Sequence, residues 1–280
     1  MNAKSTLICI AVLLIGSQTA WCETARETFG RAETLLSKSD FSGALKAYAE
    51  ASRAAPDNEE YRQKFLLVRR VIVTRKQIAQ ESDPAKWRYL AKALHSFYSA
   101  NRIYDELLTL DQQMHAIFGT SATAMTLAET HIAMDDYEAA AKTLRDLETD
   151  QVSDASNVLL GIALAHLNKK DEAKAIADDL LLPEDTSPRK LYNAARLHGM
   201  LGEAEKAAEY LVGCFQSLPP SRIDAFKDHA KGCVEFESII ETDAFKTAMT
   251  TESPIHESAC SGGSSCAGCP LRGNCPSGQE

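Results

Sequence analysis

The sequence predicts an all-α fold: an α-solenoid of repeated helix pairs, closed by a capping helix and followed by a Cys-rich, disordered C-terminal tail. Three observations predict it. First, the phrases Asp136-Tyr-Glu-Ala-Ala140, Lys170-Asp-Glu-Ala173 and Gly202-Glu-Ala-Glu-Lys-Ala207 recur between Ser121 and Pro220, their final alanines 33 and 34 residues apart. A fixed period in the thirties marks units that bury their apolar faces only against neighbours. Second, helix starts and stops fall between the units: Ser153, Ser187-Pro188 and Pro219-Pro220. Third, after Thr250 the chain turns to Ser, Gly, Pro and Cys, with Ile255 and Leu271 its only large apolar residues. Such a segment cannot bury a core.

Met1–Cys22 reads as a signal peptide. Lys4 gives a positive start, and Leu7–Gly16 is an apolar run of ten residues, too short to span a bilayer. Cleavage falls after Ala20 or after Cys22, with an N-terminal membrane anchor as the alternative. Lipidation at Cys22 is disfavoured, because Trp21 stands where a small residue is needed. The expected location is therefore periplasmic or extracellular, with no transmembrane segment left after signal removal. A net charge of −9 argues against nucleic acid as a partner of the whole surface.

Residues 23–250 form the expected array. Ala25–Pro56 is a first helix pair with its turn at Ser39-Asp40-Phe41. Counting Ala25 as position 1 puts Ala32, Ala44, Tyr48, Ala51 and Pro56 at positions 8, 20, 24, 27 and 32. Asp57–Gln80 has no breaker and reads as one long helix. Arg62, Lys64, Arg69, Arg70, Arg75 and Lys76 make it locally basic, which fits a solvated face or a site for an acidic partner or a membrane surface. Asp83-Pro84 starts another pair, Ala85–Ser99 and Ile103–Phe118. With Arg88 as position 1, Asp111 falls at position 24, which is wrong for a core site. The three clear units then begin at Ser121, Asp154 and Pro188. Their core positions take Leu127, Ala128, Tyr137, Ala140 and Leu144; Leu160, Gly161, Leu164, Ala173 and Leu180; and Ala195, Gly202, Ala207, Leu211 and Cys214. Ser221–Cys233 reads as the capping helix, with Phe236, Ile239, Ile240 and Phe245 finishing the cover.

Small residues at 8, 20 and 27, an aromatic at 24 and proline at 32 are the pattern of the tetratricopeptide repeat family, which this chain resembles from about Ala25 to Pro220. Two antiparallel helices approach closely only where a side chain is small. Thr28 departs from the bulky residue usual at position 4. The resemblance implies a right-handed solenoid that binds a protein or peptide through its concave groove, in assembly of envelope-associated complexes. By the family's register the groove is lined by Ala122, Met125, Glu129, Ile132 and Ala133; by Ala155, Val158, Ile162, Ala165 and His166; and by Arg189, Tyr192, Arg196, Gly199 and Met200. Asn193 with Arg189 and Arg196 resembles an incomplete carboxylate clamp. The alternative is that a nearby helix of the same chain covers these residues. His131, His166 and His198 occupy similar register positions, where packed histidines are commoner than ligands. No HExxH, P-loop, GxSxG or paired-carboxylate pattern is present, so catalysis is not expected.

The residual chemistry lies in the tail, residues 251–280. Cys260, Cys266, Cys269 and Cys275 are spaced C-x5-C-x2-C-x5-C. Two disulfides fit an exported protein. A tetrathiolate site for Zn, Cu(I) or an Fe–S cluster fits the Cys266–Cys269 spacing and the glycines around it, and would make a metal- or redox-handling protein with the solenoid as docking module. Cys214 and Cys233 are not expected to pair. If the chain reverses at Pro219-Pro220, they lie about 12 Å apart along the helix axis, beyond the ~7 Å that a disulfide allows. Thiol counting with metal analysis, on protein purified without reductant, separates the tail states. Disulfides give no alkylatable tail thiol and no metal; a metal centre gives four thiols and a bound ion.

Overall fold

A computed structural model describes residues 24–180 and 186–255. All regular structure among these residues is helical, and no described helix is long and apolar enough to cross a membrane. The residues fall into two compact units, one ending at Asp136 and the other starting at Tyr137. The first holds α1 (24–37), α2 (Phe41–Ala54), α3 (Glu59–Ile78), α4 (Pro84–Ala100), α5 (Tyr104–Phe118) and α6 (Ser121–Ala133). The second holds α7 (Tyr137–Arg145), α8 (Asp154–His166), α9 (Lys170–Asp178), α10 (Pro188–Met200), α11 (Ala204–Gln216), α12 (Pro220–Gly232), a 3₁₀ turn Val234–Phe236 and α13 (Asp243–Ala248).

The period in the sequence returns as a period in the backbone. Ser39, Arg102, Asp135, Asn168 and Gly202 all have positive φ, between 54° and 75°, and the last four lie 33, 33 and 34 residues apart. At each, the N–H of the following residue reaches back five positions: Asp40 to Leu35 O, Ile103 to Tyr98 O, Asp136 to His131 O, Lys169 to Leu164 O and Glu203 to His198 O, all at 2.9–3.0 Å. This is the left-handed helix stop, which caps the last carbonyls and turns the chain within three residues. Gly202 adopts it freely, and Asn and Asp tolerate it; Ser39 and Arg102 are strained there. The core site expected at Gly202 is therefore an exposed turn. The longer interval from Ser39 to Arg102 holds the single helix α3 in place of a pair.

Helix starts follow their caps. Asn58 accepts from the Tyr61 N–H, and Asp83 from the Ala85 and Lys86 N–H groups ahead of Pro84. Thr120 and Ser153 form capping boxes with Thr123 and Ser156. Ala32, Ala44 and Ala51 in the first unit, and Ala140, Ala173 and Ala207 in the second, are fully buried where helices meet. Leu160, expected in the core, is half-exposed, and its neighbour Leu159 is buried instead.

Asp111 corrects the sequence reading. Its register position is a core position, and the structure buries it completely. Oδ1 lies 2.8 Å from His95 Nδ1 on α4, and Oδ2 accepts the Thr130 hydroxyl of α6 at 2.6 Å. A carboxylate is tolerated there because both oxygens are bonded. The bonds tie α4, α5 and α6 together.

At the C-terminal end the cover comes less from α12 than expected. α12 buries Ile223 and Ala230, and Phe226 is only partly covered. Phe236, Ile239 and Phe245, all 2% exposed or less, close the core of α10 and α11. The tail begins later than the composition suggests. Thr251 O accepts from Lys227 Nζ at 2.7 Å, and the Ser253 hydroxyl donates to Leu218 O, so residues 251–255 are held against the second unit. Residues 256–280, with all four tail cysteines, and residues 1–23, with the signal segment, lie outside the described residues.

Asp111→Ala strands His95 and Thr130 beside a cavity. It is expected to cost about 3 kcal/mol or more, read as a shift of the urea midpoint at unchanged m-value. A cost under ~1 kcal/mol would show that the buried link is dispensable.

Candidate functional site

The register residues of the second unit converge at one point. Two glycines allow it. A Cβ on Gly161 of α8 would stand 2.8 Å from the Leu197 side chain of α10, so the two helices meet closely there. A Cβ on Gly199 would stand 2.6 Å from the Glu235 carbonyl oxygen and 2.8 Å from the Phe236 ring. The turn Val234–Phe236 therefore lies directly on the α10 backbone. Ser238 Oγ fixes it by donating to Gly199 O at 3.0 Å.

That placement drives Glu235 inward to 4% exposure. Its Oε1 pairs with Arg196 Nη2 and faces His166 Nε2 at 3.4 Å; its Oε2 accepts the Cys233 thiol. Arg196 Nη1 donates to Asn193 Oδ1 at 3.2 Å, while its Nε is buried without a partner. The His166 ring stacks on Tyr137, 4.0 Å between centroids and nearly parallel. Tyr192 bonds His229 Nδ1 at 2.7 Å through its hydroxyl, and its ring meets Phe226 and Phe236 edge-on.

Burial alone would raise the Glu235 pKa. The His166 hydrogen bond, the Arg196 charge and the Cys233 hydrogen bond outweigh it, leaving the carboxyl well below the usual carboxylate range. The Cys233 thiol is pushed up to about 12 by burial and by the Glu235 charge, and the Cys214 thiol to about 12 by burial. Both cysteines are free, and Cys214 fills a fully buried packing site as its register position requires. Protonated thiols are neither nucleophiles nor metal ligands. The cluster is built to hold a carboxylate.

The predicted groove of the second unit is therefore not open. Val158, Ile162 and Tyr192 are buried, and Arg196 is engaged from within by the segment after α12. At Arg196 and Gly199 the covering element is this turn, while α8 itself packs on α7, α9 and α10. His166, Tyr192, Asn193 and Arg196 do come together, whereas Arg189 stays exposed at the start of α10. In the first unit Met125 and Glu129 of α6 are half-exposed and Ile132 is buried. The three histidines face separate carboxylates: His131 near Asp136 at 3.6 Å, His166 near Glu235, and His198 on Glu203 at 2.6 Å. Among the described residues no three His, Cys, Asp or Glu side chains gather as a metal site. The sequence reading missed Glu235 and His229, and it weighed Cys233 only as a disulfide partner. The signal was Cys-Val-Glu-Phe, one acid inside an apolar run. No known family's sequence pattern matches this chain, and no curated protein is significantly similar to it.

Glu235 makes the second unit acid-sensitive. Its folded pKa lies below its ordinary 4.5, so the stability it contributes is present above pH ~4.5 and is lost as pH falls towards the folded value. Glu235→Gln is expected to cost about 3 kcal/mol or more at pH 7, and the gap to wild type narrows between pH 5 and pH 2. Equal gaps at both ends, measured by urea unfolding, would show that the pair carries no charge-dependent stability.

Proposed function

We propose that the chain is an exported helical-repeat scaffold of tetratricopeptide type, which binds a protein partner and performs no catalysis. The carrying observation is the convergence of His166 and Arg196 on one carboxylate, with Asn193 holding the guanidinium from behind. The recurrent left-handed turns support the repeat assignment. Residues assigned to a groove by register alone bind a carboxylate side chain of a polypeptide, here the chain's own segment after Cys233, and Gly199 lets that segment's backbone approach closely. An acidic and aromatic peptide has the same chemistry. A partner uses what this segment leaves accessible, with Met125 and Glu129 of α6 the first candidates.

The test is affinity capture from envelope extract by wild type, by the Met125→Glu/Glu129→Lys double variant, and by a chain truncated after Ile255. One polypeptide recovered by wild type and by the truncated chain, but lost from the double variant with its circular dichroism unchanged, is expected. Capture that depends on the tail and ignores α6 would replace this reading with the one in which the cysteine tail acts and the helices dock it.

A further inference from the structure

We propose that the outward face of α3 is a docking stripe for an acidic amphipathic helix of a partner protein. Residues 61–80 carry six Lys or Arg and no Asp or Glu, in a chain of net charge −9. Two of these cations are used internally: Arg75 holds Glu106 at 2.6 Å beside Tyr98, and Lys64 pairs with Glu33. Arg62 meets only Glu59 of its own first turn. Arg69, Arg70 and Lys76 have no side-chain partner among the described residues.

Between them lie apolar side chains that the fold leaves out. Leu66, Leu67 and Val73 are 48%, 40% and 47% exposed, three of the eight exposed large apolar residues described. Arg62, Leu66, Arg69 and Val73 follow the i, i+4, i+7, i+11 spacing, so they form one line along the helix. The opposite side of α3 buries Tyr61, Val68 and Val71 against the first unit.

Charge complementarity selects the occupant. A line of leucine and valine edged by unpaired arginines fits a helix whose apolar line is edged by Asp and Glu. A second copy docked α3 on α3 would set arginine against arginine. An anionic bilayer would attract the stripe but repel the acidic remainder of the chain. The remaining exposed large apolar residues described are scattered singly over other elements, so no second stripe competes among the described residues.

The probe is a synthetic helical peptide with one leucine line flanked by glutamates, measured by fluorescence anisotropy against the full chain. Controls are a peptide of the same composition in scrambled order and vesicles containing phosphatidylglycerol. The ordered peptide is expected to bind more tightly than the scrambled one, to weaken with added salt, and to lose at least about tenfold in affinity, about 1.4 kcal/mol, with Arg69→Glu/Arg70→Glu. Val73→Ser serves as the second variant where charge reversal disturbs folding, and is expected to weaken binding at unchanged helicity. Equal binding of the two peptides, absence of binding, or preference for the vesicles would each overturn the proposal. None of these residues belongs to the groove register, so this result and the capture experiment fail independently.

Discussion

Close approach of antiparallel helices is the constraint on which both units rest. Helix axes come near only where one side chain is no larger than a methyl. The alanines at 32, 44 and 51, and those at 140, 173 and 207, occupy such points with no solvent exposure. Fixing those points fixes the chain length between them, and the turn must then reverse direction within three residues. The left-handed stop does this at a cost of roughly 1–2 kcal/mol for a side chain such as that of Arg102. Burying one leucine of the paired helices gains about as much, so packing holds the strained turn in place. The same turn therefore recurs with Ser, Arg, Asp, Asn or Gly in its strained position.

Within this apolar frame the described residues of each unit include one buried carboxylate that joins several elements. Asp111 joins α4, α5 and α6; Glu235 joins the end of α8, the middle of α10 and the turn after α12. Such groups are weak evidence of net stability, since an apolar replacement of the same shape is often as good. Their effect is directional. Phe236, Ile239 and Phe245 could cover an apolar face in several orientations, but the carboxylate of Glu235 is satisfied only where Arg196 of α10 and His166 of α8 reach it. Gly199 reinforces this, because the turn touches α10 where no Cβ intervenes.

How far the sequence reveals this depends on whether a feature repeats. The helix pairs were legible because alanines and caps recur, and α3 because nothing interrupts residues 57 to 80. Register marked His166, Tyr192 and Arg196 as lining a groove, with Asn193 beside them, and in the structure they lie against the chain's own turn Val234–Phe236. It could not supply what meets them, because Glu235 lies beyond the repeats, where no period applies. Asp111 shows a different limit. Its position was read correctly, but a charged residue was judged unfit for the core because its partners, His95 and Thr130, stand 16 and 19 residues away on other helices. A buried polar group can be recognised only together with the atoms that satisfy it.

The exposure of the α3 stripe follows from the same frame. Where the turn recurs, every first helix has a mate lying back along it, and its flank is covered by construction. The interval from Ser39 to Arg102 has no such turn, and one helix of 20 residues takes the space of a pair. α3 packs against α2 and α4, yet only three of its residues are buried. Its remaining surface has no mate, and the sequence there places Leu66 and Val73 in line with Arg69 rather than the glutamates and lysines of a merely soluble face. A break in the repeat that exposed neutral polar residues would need no further explanation. This break exposes an apolar line in the most basic part of an acidic chain, where charge complementarity favours an acidic, apolar counterpart over a second basic surface.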